Sequence, residues 1–218
     1  MLGVLIQYLL IAGIPILLAI TLHEAAHGYT ARHFGDTTAE RAGRLSLNPL
    51  RHIDLVGTIL VPIVMLAISL ASGTTFIFGW AKPVPVNFAA LRNPRKDMLW
   101  VALAGPAANL GMLLGWALLA RMGVAVGGDL AAPLYGMATK GMQINAIFML
   151  LNLIPLPPLD GGRIAVSLLP YRTARQLSQV EPYGIFILII LLTAFGLGQA
   201  LFQMAAAMVR TIKYIFGL

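Results

Sequence analysis

His23-Glu24-Ala25-Ala26-His27 stands directly after a stretch, residues 4–22, in which no side chain is charged. Residues four apart share a helical face, so the two imidazoles can close on one metal ion. Glu24 is turned roughly 100° away, near enough to act on a water that the metal activates. This is the arrangement of a zinc hydrolase. Ionisable groups within a membrane span are costly and carry a functional reading by default, and here three are clustered.

Catalytic zinc normally takes three protein ligands and keeps a fourth position open. The chain has no cysteine, so disulfides are excluded and nitrogen and oxygen must complete the set. Of the eight acidic residues, Glu24 serves best as base, and Asp36, Glu40, Asp97, Asp129 and Glu181 sit in polar flanks with ordinary solvated roles. Asp160 and Asp54 remain. Asp160 is preferred, because it stands at a helix break beside glycines that let backbone approach closely. In this reading Glu24 takes a proton from the attacking water and passes it to the leaving amine of a cleaved peptide bond. Asn152, just before the break, is the candidate for holding substrate or polarising its carbonyl; the competing account makes it a helix cap or an interhelical hydrogen bond. His52 and Asp54 are read as capping and anchoring the next apolar run, ahead of a metal-binding role. Asn109 is read as packing beside a Gly105-Pro106 kink. Trp80, Trp100 and Trp116 take interfacial or packing roles, and Lys140 is expected to face a protein or water-filled interior.

The elements that must position these groups are those of a membrane protein. Of the 218 residues, 59% are hydrophobic and 11% charged, against about a quarter charged in soluble domains. A net charge of +7 is spread through short loops, as on cytoplasmic membrane flanks, and predicts the lipid bilayer and no nucleic acid as partner. The expected organisation is a single membrane-embedded domain over 1–218, with a core over 4–175 and a C-terminal transmembrane region over 183–216. The first helix is predicted over 4–34 and is expected to be retained, because no basic segment precedes its apolar run. Apolar sequence follows at 55–71, and the prolines at 83 and 85 make 74–91 read as extended chain. Further helices are predicted over 97–121 and 133–154. Pro155, Pro157 and Pro158 end the latter, and a helix break at membrane depth points to a site. A basic, short-helical stretch carries Arg163, Arg172 and Arg175, and apolar sequence over 183–209 is open to division at Gly196 and Gly198.

The fold class is therefore an all-α polytopic membrane protein with about five to six transmembrane helices and a re-entrant or extended, β-like segment around 55–91. A full crossing at 55–71 would put Asp160 and the histidine pair toward opposite membrane faces. If 55–91 returns to the side from which it came, Asp160 meets His23 and His27 near the cytoplasmic face, with the arginine-rich loops on that side.

Together, His23-Glu24-x-x-His27 on a first membrane helix and Leu159-Asp160-Gly161-Gly162 after a later one resemble the site-2 protease family of intramembrane metalloproteases. Gly105-Pro106-x-x-Asn109, Asn48-Pro49-Leu50-x-His52-Ile53-Asp54 and Phe78-Gly79-Trp80-Ala81-Lys82-Pro83-Val84-Pro85-Val86 extend the resemblance to the small prokaryotic branch without PDZ domains. Leu55 departs from it, since many branch members have proline there. The resemblance implies one Zn2+ per chain on His23, His27 and Asp160, Glu24 as general base and Asn152 in contact with substrate. It implies cleavage within transmembrane-helix proteins or peptides and a multi-pass location in the cell membrane. Segment 80–88 would then offer an edge for strand addition to an unwound substrate. Two other readings are a divalent-metal carrier and a catalytically inactive helix-binding relative, and intact Glu24 argues against the second. The motifs name neither a particular substrate nor an oligomeric state.

Overall fold

The computed structural model describes residues 2–52, 54–61, 63–64, 82–129 and 131–218, and over these the chain is helical, without a strand. The helices are α1 Leu2–His33, α2 Thr38–Arg41, α3 Pro94–Val126, α4 Ala131–Asn152, α5 Asp160–Leu168, α6 Tyr171–Ser178, α7 Gly184–Thr193 and α8 Leu197–Phe216. Three stretches, Ile11–His33, Pro94–Val126 and Tyr171–Thr193, are long and apolar enough to cross a membrane. The last is interrupted by the turn Glu181–Tyr183 between α6 and α7.

Boundaries follow local chemistry. Helix α1 ends one residue before its expected limit, with Gly35 at φ 106°. Helix α3 begins at Pro94 rather than Asp97. Proline suits a first turn because no intrahelical partner awaits its missing N–H, and the Asp97 carboxylate accepts from the Asn93 amide at 2.7 Å. Helix α4 ends at Asn152, and the Pro157–Pro158 peptide in the following turn is cis. The expected division of the C-terminal region occurs at Gly196, whose φ of 71° separates α7 from α8.

Helix α3 lies at the centre, packed against α1, α4 and α5. Its buried residues recur at three- and four-residue steps: Val101, Gly105, Asn109, Leu113, Trp116, Ala120 and Gly123. Small residues recur inside the bundle and large apolar ones outside it, a pattern suited to lipid, where helix association rests on close packing rather than on hydrophobic expulsion. Ala117, Ala138, Ala146 and Ala205 are buried while Phe186, Phe202 and Ile215 are exposed. Gly141 on α4 receives the face of Trp116, and a Cβ there would lie 2.3 Å from the indole.

One sequence expectation is corrected at α4. Lys140 is exposed, because the helix turns Ala138, Gly141, Met142 and Asn145 inward and leaves the lysine on its opposite face. The apolar run after Asp54 starts as a wide helical turn, Leu55–Leu60. Of the expected re-entrant segment over 55–91, residues 65–81 with Trp80 lie outside the described residues. Beyond these, residues 82–87 are non-helical, as their prolines require.

Candidate metal centre

One turn of α1 places His23 above His27, and the first residue of α5 brings Asp160 against both. The two Nε2 atoms are 3.1 Å apart. His23 Nε2 lies 3.3 Å from Asp160 Oδ2 and His27 Nε2 lies 3.3 Å from Asp160 Oδ1. Ligands at about 2.0–2.1 Å from a tetrahedral zinc are separated by about 3.3–3.4 Å, the edge of that tetrahedron. The three side chains are thus already at zinc spacing. Among the described residues they are the one His/Asp/Glu cluster whose ligand atoms converge in this way.

Hydrogen bonding behind the rings points to the same occupant. His27 Nδ1 lies 2.7 Å from the Val101 carbonyl and His23 Nδ1 lies 2.6 Å from Asn109 Oδ1. Both partners are acceptors, so each Nδ1 carries a proton, and a ring that is neutral then aims the lone pair of Nε2 at the shared centre. Asp160 Oδ2 is buried there with no hydrogen-bond partner. Two lone pairs and a carboxylate facing one another in a buried site call for a cation, and the donor set suits zinc. Gly105 on α3 makes room for the rings: a Cβ on it would lie 2.4 Å from His27 Nε2.

These groups open on a cleft of about 300 Å³ that also exposes Glu24, Val84, Asn152 and Arg163. Glu24 Oε2 accepts the Val84 amide at 2.7 Å, from the segment after the undescribed residues. Pro83 and Pro85 flank that amide and have no N–H, and Gly28 leaves space for the valine side chain. Asn152 donates one amide hydrogen to the Phe148 carbonyl at 3.1 Å, the capping contact that competes with a substrate role, yet it lines the cleft as well. A larger, apolar groove of about 740 Å³ between α1, α3 and α4 contains none of the candidate site residues.

The Asp160 loop is held from several sides. Cβ atoms on Gly161 and Gly162 would collide with the backbone of Leu153 and Pro157, so these glycines let α5 start tightly against the proline turn. Gly184, at the start of α7, abuts the same turn, and a Cβ there would be 1.7 Å from the Pro157 carbonyl oxygen. Arg163, one turn beyond Asp160, pairs with Glu181 and lies 5.1 Å over the Phe88 ring.

Other expectations resolve differently. His52 is buried with Nε2 2.8 Å from the Ser46 carbonyl, and Asp54 accepts from the Val56 and Gly57 amides at 3.1 and 2.7 Å. Asp54 is thus the helix cap expected of it. Asn109 is more than packing, since it backs His23. Asp36 is buried rather than solvated, because the α1 to α2 turn folds back on the loop before α3: it accepts from the Thr38 hydroxyl and amide at 2.5 and 2.9 Å and from the Asn87 amide at 2.7 Å. Burial pushes this carboxyl up, but the Thr38 and Asn87 bonds and the Arg41 charge more than offset it and hold it below the usual carboxylate range. Arg163, Val84 and Asn145 were not anticipated. Arg163 has a local signal in its i+3 spacing from Asp160, and Asn145 in being an amide within an apolar helix.

No family model and no solved structure matches the chain. Curated relatives do. Over 182 residues it is 38% identical to YwhC of Bacillus subtilis, named as a candidate zinc metalloprotease, covering 82% of this chain and 78% of YwhC. Over 191 residues it is 34% identical to Rip2 of Mycolicibacterium smegmatis, covering 86% of this chain and 68% of Rip2. Rip2 of Mycobacterium tuberculosis is 26% identical over 185 residues, covering 82% of this chain and 64% of that protein. Both Rip2 proteins carry the same metalloprotease designation.

Proposed function

The chain belongs to the site-2 protease family of zinc metalloproteases, and from that premise we propose that it is an intramembrane zinc metalloendopeptidase that cuts within or near transmembrane helices of protein or peptide substrates. The observation that carries this reading is the convergence of His23, His27 and Asp160 at zinc spacing in the cleft that also holds Glu24. Zinc on those three ligands supplies a Lewis acid that acidifies the attacking water and polarises the scissile carbonyl.

The chain's own groups do the rest. With Oε2 held by the Val84 amide, Glu24 keeps Oε1 to accept the proton of the attacking water, and it then delivers that proton to the leaving amine. Asn152 has a second amide hydrogen beyond the one given to Phe148, and it serves the carbonyl oxygen on which charge develops. An unwound substrate aligns as a strand beside residues 80–88. The prolines and Glu24 take up all three amide positions of 83–85, so pairing there runs from substrate N–H groups to carbonyls of the segment.

The same reading gives one domain that crosses the cell membrane five to six times, with 55–91 returning to its own side and the site near the cytoplasmic face, beside Arg32, Arg41, Arg44 and Arg51. A divalent-metal carrier would need successive ligand sets along a path, and among the described residues one converges.

The test is cleavage of transmembrane-helix substrates by purified wild type and Glu24→Gln, with zinc content measured on both. Zinc in both with cleavage by wild type alone is the expected result. Equal cleavage by Glu24→Gln would remove Glu24 from the mechanism, and well-folded wild type without zinc would overturn the ligand assignment.

A further inference from the structure

Asn109 and Asn145 are fully buried on the two central helices of the bundle. A buried amide is tolerated when both its ends are bonded, and here the bonds form a directed series. Asn145 Nδ2 donates to the Gly141 carbonyl at 2.9 Å. A main-chain carbonyl can only accept, which fixes the nitrogen end of the Asn145 amide. Its Oδ1 faces α3 and accepts from Asn109 Nδ2 at 3.0 Å. Asn109 Oδ1 is left against His23 Nδ1 at 2.6 Å. The direction of every bond therefore descends from one backbone carbonyl and ends by requiring a hydrogen on His23 Nδ1.

We infer that Asn145 is a positioning residue for the metal centre, acting through Asn109 to hold His23 in the tautomer that leaves Nε2 free to ligate. The inference rests on the metal role proposed for His23. Asn109 alone does not secure that tautomer. Rotated by half a turn, its amide would offer N–H to His23 Nδ1, and the ring proton would move to Nε2, where it faces His27 and blocks the metal. Asn145 opposes the rotation, because it would set oxygen against oxygen across the α3–α4 contact and leave a buried amide hydrogen unpaired. The Ala19 carbonyl favours the same orientation but from 3.5 Å, at the edge of hydrogen-bonding range. His27 needs no such relay, since its acceptor is the Val101 carbonyl, which cannot exchange ends.

The test is zinc affinity of the full-length protein, measured by chelator competition, with folding followed by thermal unfolding in excess chelator. Asn145→Leu removes the acceptor and is expected to weaken zinc binding about 10- to 100-fold, the range for removing a ligand's outer partner. Asn145→Asp keeps an oxygen toward Asn109 and is expected to bind much as wild type does. The deciding arm places Asn145→Leu in an Asn109→Asp background. A carboxylate presents oxygen whichever way it turns, so the leucine there should cost no further affinity. Should Asn145→Leu fail to fold, Asn145→Ala carries the same comparison. Equal loss in both backgrounds, or zinc-binding wild type with Asn145→Leu unchanged, overturns the inference alone. Wild type that takes up no zinc overturns the metal-centre reading and this inference with it.

Discussion

Replacing Gly105 with alanine adds one methyl group at the point where α3 passes the face of α1 that carries His23 and His27. That carbon would lie 2.4 Å from His27 Nε2, 2.5 Å from His23 Cε1 and 2.6 Å from His27 Cε1. Non-bonded carbon atoms settle at about 3.5–4.0 Å, so the helices must part, or the rings swing, by roughly 1 Å. Metal–ligand distances tolerate about 0.2 Å. The expected result is loss of stoichiometric zinc, together with an overpacking cost of about 1–3 kcal/mol. Zinc content and chelator competition measure the first, and thermal unfolding with and without chelator measures the second. Zinc that binds only the folded protein raises wild-type stability by mass action, and Gly105→Ala should show no such rise. Gly111→Ala is the control on the same helix, where an added Cβ meets nothing within 4 Å, and it should retain zinc. Folded Gly105→Ala with wild-type zinc affinity would refute the claim that close approach at Gly105 shapes the centre.

Two further predictions concern the supports of the site. Asp36 has a depressed pKa in the folded chain, so its contribution is fully present above the unfolded value of about 3.9 and is lost as pH falls through the lower folded value. Asp36→Asn should cost about 1–3 kcal/mol near neutrality, and its deficit against wild type should narrow as pH falls below the unfolded value; a deficit independent of pH in acid unfolding would contradict this. Gly184→Ala, with its Cβ 1.7 Å from the Pro157 oxygen, should displace the loop that carries Asp160 and lower zinc affinity about 10- to 100-fold, and unchanged affinity in a chelator titration would show that α7 does not brace that loop.

The three side chains that converge were legible because their chemistry is local. His23 and His27 need only a four-residue spacing, and Asp160 announces itself by standing after three prolines and before two glycines. Helix limits were legible to within a few residues for α1, α3 and α4, since long apolar runs and prolines define them. What the sequence could not reveal was the face that each residue presents once helices pack. Asn109 read as packing because nothing local says that it meets a histidine on another helix, 86 positions away in sequence. Lys140 read as interior because charge in an apolar run suggests shelter, whereas the stripe from Ala138 to Asn145 turns it outward. Asp36 read as solvated because its partner Asn87 lies far along the chain. Gly184 had no signal at all, as its meaning is the shape of a turn elsewhere.

That contact at Gly184 also bears on the order in which the centre is completed during synthesis. The histidines, on α1, leave the ribosome ahead of the rest of the site. Asp160 follows, but the turn behind it gains its backing only when Glu181 and Gly184 have emerged and α7 has come to rest. Helix α8, which packs into the core through Ala205, Val209 and Ile212, emerges after α7. A chain halted after α5 would hold all three converging side chains and still lack the wall against which one of them is set.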